Sequence, residues 1–124
     1  MCGIAAIYNI KENKFDNSNN IKKILNNINH RGPDQQNYEL VNQCYLGIAR
    51  LSIIDLKSGN QPISDLRKRY YVIFNGEIYN YLSLKKDLEK LNYKFNTMSD
   101  TEVVLNSYIH WGDNFVEKLD GMFS

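Results

Sequence analysis

Residues 2–10 are apolar with few interruptions, and their β-favouring side chains predict a strand. Residues 11–20 are polar and predict a loop tip. Ile21, Ile24, Leu25 and Ile28 then recur at helical spacing, with Asn19 or Asn20 placed to cap, and this helix should end near Asn29. His30-Arg31-Gly32-Pro33-Asp34 breaks the pattern. Residues 37–41 and 45–49 read as two strands joined by Asn42-Gln43, and residues 51–56 as a further apolar stretch. Loops are expected at 58–62 and at the basic triplet 67–69. Residues 70–74 give the clearest strand signal in the chain and run into Asn75-Gly76. Asn80 precedes a helix with Leu84, Leu88 and Leu91 along one face, and a short strand follows at 93–95. Ser99-Asp100-Thr101-Glu102 fits a capping box opening a helix over 103–111, with Gly112 as its stop. A short helix at 114–119 closes at Gly121, and Met122-Phe123-Ser124 looks like the start of another strand, as if the sheet continued past the last residue.

Successive strands at short spacing predict an α+β domain of mostly antiparallel sheet with helices packed on a face, without the strict alternation of a doubly wound fold. The length of 124 residues fits one domain or part of one, and an apolar fraction of 43% supports a real core. Fifteen basic residues nearly balance 14 acidic ones, for a net charge of +1, so no nucleic-acid or membrane footprint is indicated. No apolar run approaches the roughly 20 residues of a membrane span, and no signal peptide is visible. Cys2 and Cys44 make neither a disulfide scaffold nor a metal-ligand spacing. A cytoplasmic protein with reduced thiols and no metal site is the expectation.

Candidate chemistry begins at Cys2. Removal of Met1 would leave a thiol and a free α-amine on one residue, and an amine that titrates near ~8 suits a general base for that thiol. The competing reading is a small buried hydrophobe. Asn75-Gly76 after a strand is either a hairpin turn or a pair of oxyanion donors, the Asn75 amide and the Gly76 N–H. Arg50 at a strand end is either solvated or a clamp for a carboxylate. Asp100 is most simply a helix cap, yet its carboxylate could face a ligand ammonium, and Glu77 is a second anion for that task. His30, Arg31 and Asp34 read either as a salt-bridged loop or as a functional turn.

Taken in order, Met1-Cys2-Gly3-Ile4, His30-Arg31-Gly32-Pro33-Asp34, Arg50-Leu51-Ser52-Ile53-Ile54-Asp55, Asn75-Gly76-Glu77-Ile78-Tyr79-Asn80, Ser99-Asp100-Thr101-Glu102 and Leu119-Asp120-Gly121-Met122-Phe123 resemble the N-terminal glutaminase domain of the glutamine-hydrolysing asparagine synthetases. These are class II glutamine amidotransferases with an N-terminal nucleophile. The resemblance spans residues 1–124 and implies a set of roles. Cys2 would be the nucleophile, and Asn75 and Gly76 the oxyanion hole. Arg50 would bind the glutamine α-carboxylate, and Glu77 and Asp100 its α-ammonium. Backbone groups of Leu51, Ser52, Ile53 and Ile54 would line the pocket, and the turn 30–34 would lie beside it. The implied fold has two antiparallel sheets between helical layers, incomplete at the C-terminal end of this chain. The implied reaction releases ammonia from glutamine through a Cys2 thioester, without a cofactor in this chain. A second, synthetase domain using ATP and Mg²⁺ is implied in cis, with a possible homodimer, but its Gly-rich pyrophosphate loop has no counterpart here. The alternatives are the glutaminase domain of another class II amidotransferase, or a truncated non-catalytic fragment that only binds glutamine or docks on a partner.

Overall fold

The computed structural model describes residues 2–10, 16–56 and 58–124. The first strand, β1, spans Gly3–Tyr8. Residues 11–15, half of the expected loop tip, lie outside the described part, and α1 covers Ser18–Asn27, so residues 18–20 are helix in place of the expected loop. Strands β2 (Gln35–Val41) and β3 (Cys44–Arg50) follow. The short pairs come next: β4 (Ile63–Ser64), β5 (Tyr71–Val72) and β6 (Gly76–Ile78). Then α2 (Tyr81–Lys90), α3 (Asp100–Trp111) and β7 (Gly121–Phe123) complete the order.

The expected α+β class and antiparallel pairing are what the chain forms. The described strands make three small antiparallel sheets: β1-β3-β2, β4-β5 and β6-β7. In the first, Gly3 faces Ala49 and Gln35 faces Arg50, so the C-terminal end of β3 lies between the start of β1 and the start of β2. Helix α1 packs Ile21 and Leu25 against Tyr45, with Ala5, Ile7, Ile28 and Tyr38 around them. Gly47 allows that approach, because a Cβ there would stand 3.1 Å from Ile21. A second core joins Phe74, Ile78, Leu84, Leu88, Val103 and Val104, burying α2 and α3 against β6. Residues 100–107 of α3 are all buried, so this helix is the central post of that half.

Several local expectations change. The caps of α1 are Asn17 and Ile28, not Asn19 or Asn20, and the helix ends two residues before Asn29, where a 3₁₀ turn begins. The strand expected at 70–74 pairs only over Tyr71–Val72, because the backbone then changes partners. The Phe74 N–H donates to Gln61 Oε1 at 2.6 Å, and the Asn75 N–H to the Ser124 carbonyl at 3.0 Å. Residues 93–95 form no strand. The next two amides, Asn96 and Thr97, donate instead to the Glu102 carboxylate, at 3.0 and 2.7 Å. That occupies the acid expected to complete a capping box, so only the Ser99 half forms, its Oγ accepting from the Thr101 N–H at 3.2 Å. The helix accordingly begins at Asp100, and Ser99, not Asp100, is its cap. Leu91 is half exposed as the C-cap of α2, leaving Leu84 and Leu88 to the core. Gly112 stops α3 with φ 59° as expected, and a 3₁₀ helix over Gly112–Lys118 takes the place of a separate helix at 114–119. The strand foreseen at the last residues exists as β7.

Candidate active site

A pocket of about 90 Å³ is lined from one side by Cys2, Arg50, Leu51, Ile53 and Ile54 and from the other by Asn75, Gly76, Glu77 and Asp100. The sheet register explains the first group. Cys2 precedes β1 and Leu51 follows β3, and β1 and β3 are antiparallel partners, so the two meet at one sheet end. There the Leu51 N–H donates to Cys2 Sγ at 3.3 Å, and the thiol reaches the Leu51 carbonyl at 3.6 Å. Arg31 Nε donates to the Cys2 carbonyl at 3.0 Å, and Asp34 Oδ2 accepts from the Ser52 N–H at 2.8 Å. Among the described residues the turn over 30–34 forms no ion pair. Its charged side chains hold backbone groups on both sides of the pocket end. Gly32 fits beneath them because a Cβ would lie 2.2 Å from the Ala49 carbonyl oxygen.

Asn75-Gly76 is not a hairpin turn. Asn75 and Ser124 exchange both backbone hydrogen bonds, at 3.0 and 2.8 Å. In an antiparallel ladder the neighbouring residue then points its N–H away from the partner strand. Gly76 is that residue, opposite Phe123 in β7. The same alternation sends the Ile78 N–H away from β7, where it meets Asp100 Oδ2 at 3.2 Å. The Gly76 N–H thus faces the side of Asp100 and the pocket. Glycine is required there, since a Cβ would stand 2.4 Å from the Met122 carbonyl oxygen. Among the described residues Asn75 Nδ2 donates to no acceptor, while its Oδ1 is buried without a partner.

Arg50 is only 4% exposed and pairs with no carboxylate among the described residues, whose ion pairs are Arg69–Asp65 and Lys90–Asp87. Neutral oxygens hold its guanidinium: Ser52 Oγ accepts from Nη1 at 2.9 Å, and the Ile54 and Asp55 carbonyls accept from Nη2 at 3.0 and 2.8 Å. A guanidinium has five N–H donors, so donors remain for a ligand. Ser52 is consequently a support for Arg50 and is not in the pocket wall. Asp100 is likewise 4% exposed, and burial pushes its carboxyl above the usual range despite the hydrogen bonds it accepts. It forms no ion pair with Arg50. Two buried, opposite and mutually unpaired charges on one pocket match a zwitterionic head group. Glu77 shares the wall.

The sequence reading missed Gln61, Phe74, Ser99, Thr101 and Met122 in this wall. Gln61 is the most instructive, because its buried amide bridges Phe74 N–H and Thr101 Oγ1, joining the loop after Arg50 to the segment between β5 and β6 and to α3. Its neighbours Ser58-Gly59-Asn60 gave a loop signal only. Met1, whose removal would free the α-amine, lies outside the described residues. Among the described residues no three His, Cys, Asp or Glu side chains cluster to hold a metal ion. None of the described helices is long and apolar enough to cross a membrane.

Residues 1–124 match the family model of the glutamine amidotransferase domain. The chain is 44% identical over 126 residues to asparagine synthetase (glutamine-hydrolysing) 1 of Bacillus subtilis, covering all of this chain and 20% of that protein. It is 40% identical to the corresponding enzyme 2 of Oryza sativa and 41% to that of Zea mays, over 124 residues, all of this chain and 21% of each. The chain thus spans about a fifth of the length of the curated relatives it matches.

Proposed function

Because the chain belongs to the glutamine amidotransferase domain family, we propose that it hydrolyses glutamine and is the ammonia-supplying part of a glutamine-dependent asparagine synthetase. The observation that carries this reading is the pair of buried charges, Arg50 and Asp100, unpaired among the described residues, on a pocket that also holds Cys2 and the outward N–H of Gly76. Arg50 takes the α-carboxylate, and Asp100, with Glu77, the α-ammonium. The γ-amide then extends toward Cys2. With Met1 removed, the α-amine accepts the thiol proton and the sulfur attacks the amide carbon. The Leu51 N–H donates to the sulfur at 3.3 Å and holds it at this end of the pocket. Asn75 Nδ2 and the Gly76 N–H receive the oxyanion, where each donor is worth roughly 3 kcal/mol. The protonated amine gives its proton to the departing ammonia, and water hydrolyses the γ-glutamyl thioester to glutamate.

The fold is that of an N-terminal nucleophile hydrolase in a cytoplasmic enzyme, with the first sheet and the β6-β7 pair belonging to its two layered sheets. ATP and Mg²⁺ serve a synthetase domain in cis that uses the ammonia on activated aspartate. The test is ammonia release from glutamine by the protein carrying this domain. Cys2→Ala should abolish it with the fold intact, and Cys44→Ala, at the far end of β3, should retain it. Near-normal release by Cys2→Ala would exclude the mechanism.

A further inference from the structure

Asp55 lies outside the pocket wall, yet it is bonded to Arg50 and to the segment that leads into Asp100. Its carbonyl oxygen accepts from Arg50 Nη2 at 2.8 Å. Its carboxylate Oδ2 accepts from the Met98 N–H at 2.8 Å, two residues before Asp100. Ser58 fixes the carboxylate from the other side, through its N–H to Oδ1 at 2.8 Å and its Oγ to Oδ2 at 2.5 Å. The Gly59 N–H closes the turn on the Asp55 carbonyl at 3.2 Å. Asp55 has φ 52°, a left-handed backbone that Asp and Asn adopt more readily than other side chains. Gly59 completes the cradle, since a Cβ there would stand 2.6 Å from Arg50 Nη2 and 2.9 Å from the Asp55 carbonyl oxygen. One residue therefore ties the loop that holds the cation to the segment that launches the helix bearing the anion.

We propose that Asp55 is a positioning residue that sets the separation of Arg50 from Asp100, and so makes the pocket selective for ligands carrying both an α-carboxylate and an α-ammonium. This rests on the glutaminase reading. An arm that is bonded only to its own strand or helix keeps its charge but loses its distance to the other, and small displacements of a binding group are costly.

The experiment uses the protein carrying this domain with Cys2→Ala, so that ligand is bound and not consumed. Calorimetry compares L-glutamine with 4-aminobutanamide, which lacks the carboxylate, and with glutaramic acid, which lacks the amine. The parent should prefer glutamine over both. In Asp55→Ala each preference should shrink by about tenfold, the scale on which loosened supporting groups act. Asp55→Asn keeps the left-handed backbone and an acceptor for Met98, and should stay close to the parent. A merely structural role would lower the number of competent sites and leave the preferences unchanged. If Asp55→Ala does not fold, Asp55→Glu carries the same expectation, because its carboxylate is moved one methylene outward. Unchanged preferences in the folded variant overturn the proposal alone. A parent that binds none of the three ligands overturns the glutaminase reading and this inference with it.

Discussion

The two ends of the pocket are built from different materials. At the proposed oxyanion end the group assigned to function is a backbone N–H, aimed by the β6-β7 ladder that also carries structural hydrogen bonds. At the proposed head-group end the assigned groups are side-chain charges, buried without ion-pair partners among the described residues. At the first end function is a by-product of the fold, so whatever disturbs one disturbs the other. At the second end function is in tension with the fold, because a desolvated charge costs free energy until the ligand arrives. The pocket wall therefore holds both kinds of residue, and substitutions should tell them apart by the sign of their effect on stability.

The largest effect should come from Gly76→Ala, which strikes both properties. Its Cβ would lie 2.4 Å from the Met122 carbonyl oxygen and 2.6 Å from the Phe123 Cα, so β6 and β7 must separate. A cost of about 1–3 kcal/mol in stability is the usual scale of such overpacking. Misplacing an oxyanion donor adds a loss of about 10²–10³ in kcat. Thermal unfolding and steady-state ammonia release should fall together. A Gly76→Ala protein with lowered kcat and unchanged Tm would break the claim that the ladder and the oxyanion donor are one object.

Arg50→Ala tests the other end. Removing one member of a charge-assisted contact in a confined site costs about 2–5 kcal/mol of binding. That loss should appear in kcat/KM for glutamine. Stability should change far less than a buried side chain of this size would suggest, since an uncompensated cation leaves with it. Arg50→Lys should restore only part of the activity, because an ammonium on a flexible stem cannot reach Ser52 Oγ, two carbonyls and a carboxylate together. Full-speed hydrolysis by Arg50→Ala at limiting glutamine would remove Arg50 from the clamp.

The difference between the two ends also explains what could be read from the chain itself. Helices with a clear apolar stripe, such as the one bearing Leu84 and Leu88, and the hairpin around Asn42, followed from local pattern because local pattern dictates them. Cys2, Arg50, Asn75, Gly76 and Asp100 were legible as a set through their resemblance to a family, and the structure brings them to one pocket. The misses depend on contacts that no local period encodes. Residues 70–74 look like a strand to local pattern, yet the backbone is divided between Ile63–Ser64 and the Gln61 side chain, and from Asn75 on it pairs with Ser124. Glu102 has the spacing of a capping box, but amides at 96 and 97 take it first. Gln61 and Asp55 support the site through partners 40 and 43 residues away, which no periodicity encodes.

The smallest and most discriminating effect should come from Asp100→Asn. Burial raises the Asp100 carboxyl above its ordinary value of 3.8, against the hydrogen bonds from Ile78 and its neighbours. At pH values below that ordinary value the group is protonated in both folded and unfolded chains, and it costs nothing. As pH rises from there to the raised native value, the unfolded chain ionises first, so the native state holds more protons and stability falls. Above the native value the cost is complete and constant. The Asn variant has no such term and can still accept from the Ile78 N–H. At neutral pH it should therefore be more stable than the parent, by about 1 kcal/mol on the usual scale of single stabilising substitutions. The two should converge under acid conditions. Glutamine affinity should move the opposite way: weak in the Asn variant at all pH values, and in the parent strengthening as pH rises through the native Asp100 titration, because the ammonium needs the ionised carboxylate. Urea unfolding across a pH series, with and without glutamine, measures both. An Asn variant less stable than the parent at neutral pH would mean that the carboxylate is already compensated in the empty pocket, and the contrast between the two ends would collapse to a difference of location.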